Sequence, residues 1–325
     1  MTNNKTMTVF VTRIIPEEGI KLLRESGCTV NQYSGNTELT QAELIEECKR
    51  SDALLHAGTN KIDESFLNAC KHLKVVSLLT VGYDLVDIPA AKKLGIPVGN
   101  TPDVLSNATA DTAFLLMLAV SRKAFYLHKK ITKGEWGFYE PTADLGIELN
   151  NKTLGIFGLG KIGFEFARKC KAAFNTKLIY HNRNNNPKAE AELGATKVSF
   201  DELLQQSDVL SLHCKLTAET EGLFDKKVFQ KMKPTSIFIN TGRGKLHNEA
   251  DLITALQNNL IWGAGLDVTN PEPMDKNNPL LEMPNVAILP HIGSQTIEAR
   301  SAMSRIAAQN VLAGLKGQPL PHSVT

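Results

Sequence analysis

The chain has 325 residues, with 36 Lys and Arg against 34 Asp and Glu, a formal net charge of +2, and 42% apolar residues. That length points to two domains rather than one, and the near-neutral balance gives no sign of a nucleic-acid partner or an anionic membrane surface. Apolar runs such as Ala113 to Val120 fall well short of a membrane span. Cys28, Cys48, Cys70, Cys170 and Cys214 are odd in number, form no CxxC pair and read as reduced thiols of a cytoplasmic protein.

Taken in chain order, the residues up to Pro16 hold no apolar core of signal-peptide length before the strand-like run Thr8 to Thr12. A helix is expected from near Pro16, and strand-like runs recur at Ala53 to His56, Lys74 to Leu79 and Ile96 to Gly99. The loop Asn100 to Asp103 follows. Ser106 or Asn107 then caps a helix whose apolar residues from Ala113 to Val120 leave little polar face, which predicts a buried helix. Strand and helix signals alternate throughout, the pattern of parallel α/β sheets.

Residues 153–163, TLGIFGLGKIG, are the most informative stretch. Leu154, Ile156 and Phe157 read as a buried strand, and Phe164, Phe166 and Ala167 continue at helical spacing, so Gly158, Gly160 and Gly163 fall on a strand-to-helix turn. The first glycine permits the tight turn, the second lets backbone approach a pyrophosphate, and the third lets helix pack on strand. The helix start supplies N–H groups and partial positive charge for the anion. An NAD site ordinarily carries an acid about 20 residues further on. Here the strand Lys177 to Tyr180 runs into His181, Asn182, Arg183 and Asn184, and no acidic residue occurs between Phe166 and Ala189. A guanidinium at Arg183 suits a ribose 2′-phosphate, so NADP(H) is favoured and NAD(H) stays possible; the alternative is a solvated loop arginine in an enzyme that tolerates either.

Three later residues follow strand-like runs. Arg243, in NTGRG after Ser236 to Ile239, has the fork to hold a carboxylate and polarise a carbonyl. Glu272 lies between prolines in the loop after Asp267, and His291 follows the run Val286 to Leu289. A carboxylate against imidazole orients the ring and favours its protonated form, which suits a proton donor near neutral pH. Taken singly each has a plain alternative: a structural or surface histidine, a solvated loop acid, an ion-pair arginine. Together, in a domain with a nucleotide fingerprint, they favour a site at strand C-termini. No metal site is expected.

The fold expected is α/β, with two doubly wound parallel-sheet domains: residues 105–294 as a Rossmann cofactor domain inserted into a flavodoxin-like substrate domain made of 1–104 and 295–325. The inserted arrangement implies two connections, a hinge and a ligand cleft.

Over essentially its full length the chain resembles the D-isomer-specific 2-hydroxyacid dehydrogenases. GLGKIG at 158–163, SLHCKLTAET at 211–220, NTGRG at 240–244, GLDVTNPEP at 265–273 and PHIGS at 290–294 carry the resemblance. It implies a catalytic set of Arg243, Glu272 and His291. The cofactor set it implies is Gly158, Leu159, Gly160, Lys161, Ile162, Gly163, Asn182, Arg183, His213, Thr241 and Asp267. Asp267 would meet the nicotinamide carboxamide. The loop Thr80 to Asp84 matches a segment whose amides bind a substrate carboxylate, giving Val81 and Gly82, with Arg243, His291 and Ser294, as substrate residues. GIPVGNTPDVLSNATAD at 95–111 and KGEW at 133–136 look most like glyoxylate/hydroxypyruvate reductases, which are commonly NADPH-preferring.

A homodimer is implied, with the helix near 106–122 as its contact and Trp136 either reaching the partner's site or buried in the core. Lys215 and Gly242 depart from the family's proline and Ser/Ala. The activity implied is reduction of glyoxylate or hydroxypyruvate to the D-2-hydroxy acid. Reduction of another 2-oxo acid, or a dinucleotide-sensing scaffold of the corepressor type, is the alternative. The scaffold is disfavoured because no added interaction tail follows the last helix. Phosphite dehydrogenase lacks support because its usual lysine is absent from LLTVGYD, and formate dehydrogenase because Glu272 and His291 are both present.

Overall fold

Runs of three apolar residues closed by one buried polar residue, such as Ala53-Leu-Leu-His56 and Ile237-Phe-Ile-Asn240, are buried on both faces, as parallel strands covered on each side by helices must be. The computed structural model describes residues 6–325. The expectation that no signal peptide leads the chain falls partly on residues 1–5, outside the described residues. The chain divides into two compact units: one runs to Leu105 and resumes at Gln295–Thr325, and the other is Ser106–Ser294.

In the first unit, strands β1 (Thr8–Val11), β2 (Thr29–Gln32), β3 (Ala53–His56), β4 (Val76–Leu78) and β5 (Val98–Gly99) form a parallel sheet in the order β2-β1-β3-β4-β5, the flavodoxin-like winding. Its helices start where side chains cap them. Thr40 and Glu43 make a reciprocal capping box, and Asp63 and Asp87 accept from the backbone N–H groups of Phe66 and Ala90. Phe10, Leu44, Leu54, Phe66 and Val76 fill one core. The helix Ile297–Leu315 returns to this unit and is fixed by buried polar bonds. Ser304 Oγ donates to Pro16 O at 2.7 Å and accepts from Gly19 N at 3.1 Å, and Asn310 Nδ2 donates to Asn100 O at 3.0 Å. The chain end then pairs with β5, Val324 N reaching Val98 O at 2.9 Å.

The second unit holds β6 (Thr153–Phe157), β7 (Lys177–His181), β8 (Thr196–Lys197), β9 (Val209–Leu212), β10 (Ile237–Asn240), β11 (Gly263–Leu266) and β12 (Val286–Ile288), all parallel, in the order β12-β11-β10-β9-β6-β7-β8. The order reverses between β6 and β9, the switch point at which such sheets bind ligands. One face is covered by the helices Ser106–Ser121 and Lys161–Phe174, burying Leu116, Val120, Phe166 and Tyr180. The other buries an aromatic cluster in which Phe238 meets Phe229 edge-on at 5.3 Å. The helix expected to be buried runs over Ser106–Ser121, yet it is not covered all round: Leu115 is exposed and Phe114 and Leu118 are half-buried, since the sheet contacts only one side of it.

Candidate active site

The glycine loop follows from steric need at each position. Gly158 has φ +91°, and a Cβ there would lie 2.5 Å from Cys214 N; a Cβ at Gly163 would press on Ile156 Cγ2 at 3.1 Å, where helix meets β6. Gly160 faces open space. It is also the N-cap of Lys161–Phe174, and no side chain caps that helix. A helix start of this kind, with an open approach and no competing cap, fits the pyrophosphate of a dinucleotide. Leu159 is held by two carboxamides: its N–H donates to Asn182 Oδ1 at 2.6 Å, and its carbonyl accepts from Asn182 Nδ2 at 3.1 Å and Asn186 Nδ2 at 2.9 Å. Asn182 therefore braces the loop with its own side chain. Asn186, which the sequence reading passed over, does the same.

Arg183 is exposed beyond β7. Its carbonyl accepts from Lys197 Nζ at 3.2 Å, and the same ammonium reaches Asn185 Oδ1 at 3.0 Å, so β8 pins the Arg183 loop. The acid-free stretch of sequence is not acid-free in space. Glu219 comes within electrostatic reach of Arg183: its carboxyl is held below the usual range by the Thr217 hydroxyl, then by its own backbone N–H, with Arg183 a smaller contribution.

Below the glycine loop His213 lies between two hydroxyls, Ser211 Oγ at 2.9 Å from Nε2 and Thr241 Oγ1 at 3.3 Å from Nδ1. Burial pushes it down to about 3, so it is a neutral ring at working pH.

The candidate catalytic side chains lie in the loops after β10, β11 and β12. His291 Nδ1 and Glu272 Oε1 are 2.5 Å apart, and both side chains are solvent-accessible (45% and 39% exposed). His291 has a left-handed backbone, φ +54°, uncommon for a residue other than glycine. Asp267 holds it there. The Asp267 carbonyl accepts from His291 N at 2.8 Å, and its carboxylate oxygens accept from Ile292 N and Gly293 N at 2.8 Å each. Thr109 Oγ1 closes the clamp on Gly293 O at 2.9 Å. Burial raises the Asp267 carboxyl while the two N–H bonds pull it down, and burial wins. Ser294 ends this loop, half-buried. Asp267 thus spends its carboxylate on the His291 turn, and Thr109 is a supporting residue with no local signal in the sequence.

Arg243 is half-buried, and its Nη1 donates to Gly242 O at 2.9 Å. The turn after it needs Gly244, where a Cβ would run into the Thr269 carbonyl. In the first unit the loop at Val81 and Gly82 is tied by its carbonyls, which accept from Asn100 Nδ2 at 2.8 Å and Thr80 Oγ1 at 2.7 Å. Leu55 is fully buried within β3. Trp136 is 80% exposed, which removes the buried-core alternative. Among the described residues no cluster of His, Cys, Asp and Glu has the arrangement of a metal site, and no helix is long and apolar enough to cross a membrane.

Residues 114–293 match the model of the D-isomer specific 2-hydroxyacid dehydrogenase NAD-binding domain. The chain belongs to that family. It is 42% identical over 319 residues to the human glyoxylate reductase/hydroxypyruvate reductase, covering 98% of this chain and 97% of the other. A Thermus thermophilus structure superimposes with a TM-score of 0.91 at 38% identity, covering 98% of this chain and all of that one. A Sinorhizobium meliloti NADPH-dependent glyoxylate/hydroxypyruvate reductase in complex with NADP and malonate gives 0.84 at 30% identity, covering 99% and 97%. As a D-2-hydroxyacid dehydrogenase the chain is an oxidoreductase acting on CH–OH donors with a nicotinamide dinucleotide.

Proposed function

We propose that this dehydrogenase works as a reductase of a small 2-oxo acid, glyoxylate or hydroxypyruvate, yielding the corresponding 2-hydroxy acid (glycolate or D-glycerate), with NADPH favoured over NADH. The observation that carries the reading is the 2.5 Å contact of His291 with Glu272 at the end of β12. An ionised carboxylate accepts only, so Nδ1 carries the hydrogen it shares with Glu272 and Nε2 is left to exchange a proton with the substrate. When bound, the reduced nicotinamide supplies the hydride. His291 gives its Nε2 proton to the carbonyl oxygen, Glu272 holds the ring and offsets its charge, and Arg243 holds the carboxylate and polarises the carbonyl. The amides of Val81 and Gly82 and the hydroxyl of Ser294 are assigned to the substrate in the same proposal.

On the cofactor side, the helix start at Gly160 to Gly163 takes the pyrophosphate, Arg183 the 2′-phosphate, and His213 and Thr241 flank the bound dinucleotide. The name of the human relative and that of the Sinorhizobium enzyme support the substrate class, and the latter supports NADPH. The test is loss of reduced-nicotinamide absorbance with NADPH, and separately NADH, on glyoxylate, hydroxypyruvate and pyruvate. Faster oxidation of NADPH on glyoxylate or hydroxypyruvate is expected. Turnover with NADH alone would reject the assignment of Arg183, and no turnover on any of the three would reject the substrate class.

The same reading includes a homodimer. Leu115 on the outer side of Ser106–Ser121 and Trp136, Phe138 and Tyr139 further along the chain leave large apolar side chains in water (46, 80, 84 and 86% exposed), which supports an interface that covers them. Sedimentation equilibrium of the wild type and of Leu115→Asp tests it: a dimer is expected for the first and a shift toward monomer for the second.

A further inference from the structure

His247 is a buried imidazole that the proposed chemistry does not use. It follows a 3-10 turn, Gly244–Leu246, is 2% exposed, and sits edge-on to Phe238 with ring centroids 5.8 Å apart. Its Nδ1 lies 3.1 Å from Asn240 Nδ2. Asn240, fully buried at the end of β10, makes two further side-chain bonds: Nδ2 donates to Arg243 O at 2.8 Å and Oδ1 accepts from Gly242 N at 3.0 Å.

These partners fix every hydrogen. A backbone carbonyl only accepts and a backbone N–H only donates, so the Asn240 carboxamide cannot be flipped without breaking both bonds. Its second N–H must then point at His247, and Nδ1 must be the acceptor. The hydrogen of the neutral ring then lies on Nε2, which is buried and has no hydrogen-bond partner among the described residues. Burial holds the ring neutral, pushing His247 down to about 4, so the acceptor stays available at working pH. The carbonyl of Arg243 is bonded twice, by Asn240 Nδ2 and by Leu246 N at 3.1 Å. The carboxamide therefore spans the turn that launches the Arg243 side chain, and His247 adds the third bond that holds it there.

We infer that His247 is a positioning residue: through Asn240 it sets the backbone turn at Gly242 and Arg243, and so the direction in which the Arg243 guanidinium meets the substrate carboxylate. The inference rests on the reading of Arg243 as the carboxylate-holding residue. Loss of the acceptor leaves a buried Asn240 N–H unpaired and the carboxamide held by two bonds instead of three, which costs about tenfold in an interaction that depends on that geometry.

The experiment compares wild type, His247→Leu, His247→Asn, Arg243→Lys and the double variant His247→Leu/Arg243→Lys. Leucine fills space without accepting a hydrogen bond, whereas asparagine can offer Oδ1 near the place of Nδ1. His247→Leu is expected to raise KM for the 2-oxo acid about tenfold, with NADPH affinity within about twofold of wild type. His247→Asn should recover most of the loss. In the Arg243→Lys background His247→Leu should have little added effect, because residues acting through one another are not additive.

Equal losses for Leu and Asn, or fully additive effects with Arg243→Lys, would show a packing role and overturn the inference. If Arg243→Lys itself left KM unchanged, the reading of Arg243 would fail instead. Nitrogen-15 NMR of the wild-type histidines gives a test independent of any variant: His247 is expected as the Nε2–H tautomer, and an Nδ1–H signal would overturn the arrangement.

Discussion

His56 in the first unit and His291 in the second both stand at or just beyond the end of a parallel strand, in opposite surroundings. His56 closes β3, is 3% exposed, has no partner at Nε2 and is pushed by burial down to about 4. His291 lies just past β12, in water and 2.5 Å from a carboxylate. The first unit absorbs its strand end into the core, whereas the second turns its chain outward on a left-handed residue clamped by Asp267. A strand end offers a place, and what differs here is the clamp and the paired carboxylate that hold His291 in water.

The largest test of this contrast is deletion of each ring. His291→Ala is expected to lower kcat about a thousandfold, within the range for loss of a general acid, with NADPH affinity changed less than about twofold. His56→Leu should leave kcat and KM near wild type, since that ring touches no part of the site. Steady-state rates and cofactor titration of both proteins read the outcome, and comparable losses of kcat would erase the distinction.

The second test is acid. His56, His213 and His247 have folded pKa values of about 4, 3 and 4, below the usual histidine value. The unfolded chain takes up protons near pH 6.5 that the folded rings refuse, so the stability these groups contribute is complete above that pH and is lost as pH falls toward about 4. Each refused proton tilts stability by about 1.4 kcal/mol per pH unit. The second unit holds two of the three rings, so its unfolding free energy from urea titration should fall about twice as steeply as that of the first between roughly pH 6 and 5, where most carboxylates remain ionised. Equal slopes in the two units, followed by probes local to each, would contradict the burial assigned to these rings.

Smaller effects should come from the cofactor end. Arg183→Ala is expected to lower kcat/KM for NADPH about tenfold and to leave NADH nearly unchanged, as loss of a charged hydrogen bond to a phosphate should. Smallest is Glu219→Gln. Removing a carboxylate that competes for Arg183 should raise the NADPH to NADH preference about threefold at low salt and less at high salt. An unchanged ratio would remove Glu219 from cofactor choice.

The glycine loop was legible because all its constraints lie within a few residues. Gly158 must turn, Gly160 must stay open and Gly163 must let helix meet strand, and chain order alone puts them between apolar runs of different period. The flanks of Glu272 and His291 were legible for the same reason, as loops following the apolar runs of β11 and β12. The bracing was not. Asn186 returns to Leu159 across 27 positions and Thr109 reaches Gly293 across 184, so neither carries a local signal. Glu219 shows the converse: a window of sequence without acid said nothing about an acid brought in from the loop after β9.

The sequence by itself determined the alternation of short apolar runs with capped helices, the dinucleotide loop, and the identity of Arg243, Glu272 and His291 as the groups with suitable chemistry. These depend on local sterics, periodicity and residue type. Only the tertiary structure decided which polar groups work and which are merely satisfied. Protonation and hydrogen-bond direction depend on burial and on partners far apart in the chain, and folding alone brings Asp267 under the His291 turn and His247 against Asn240.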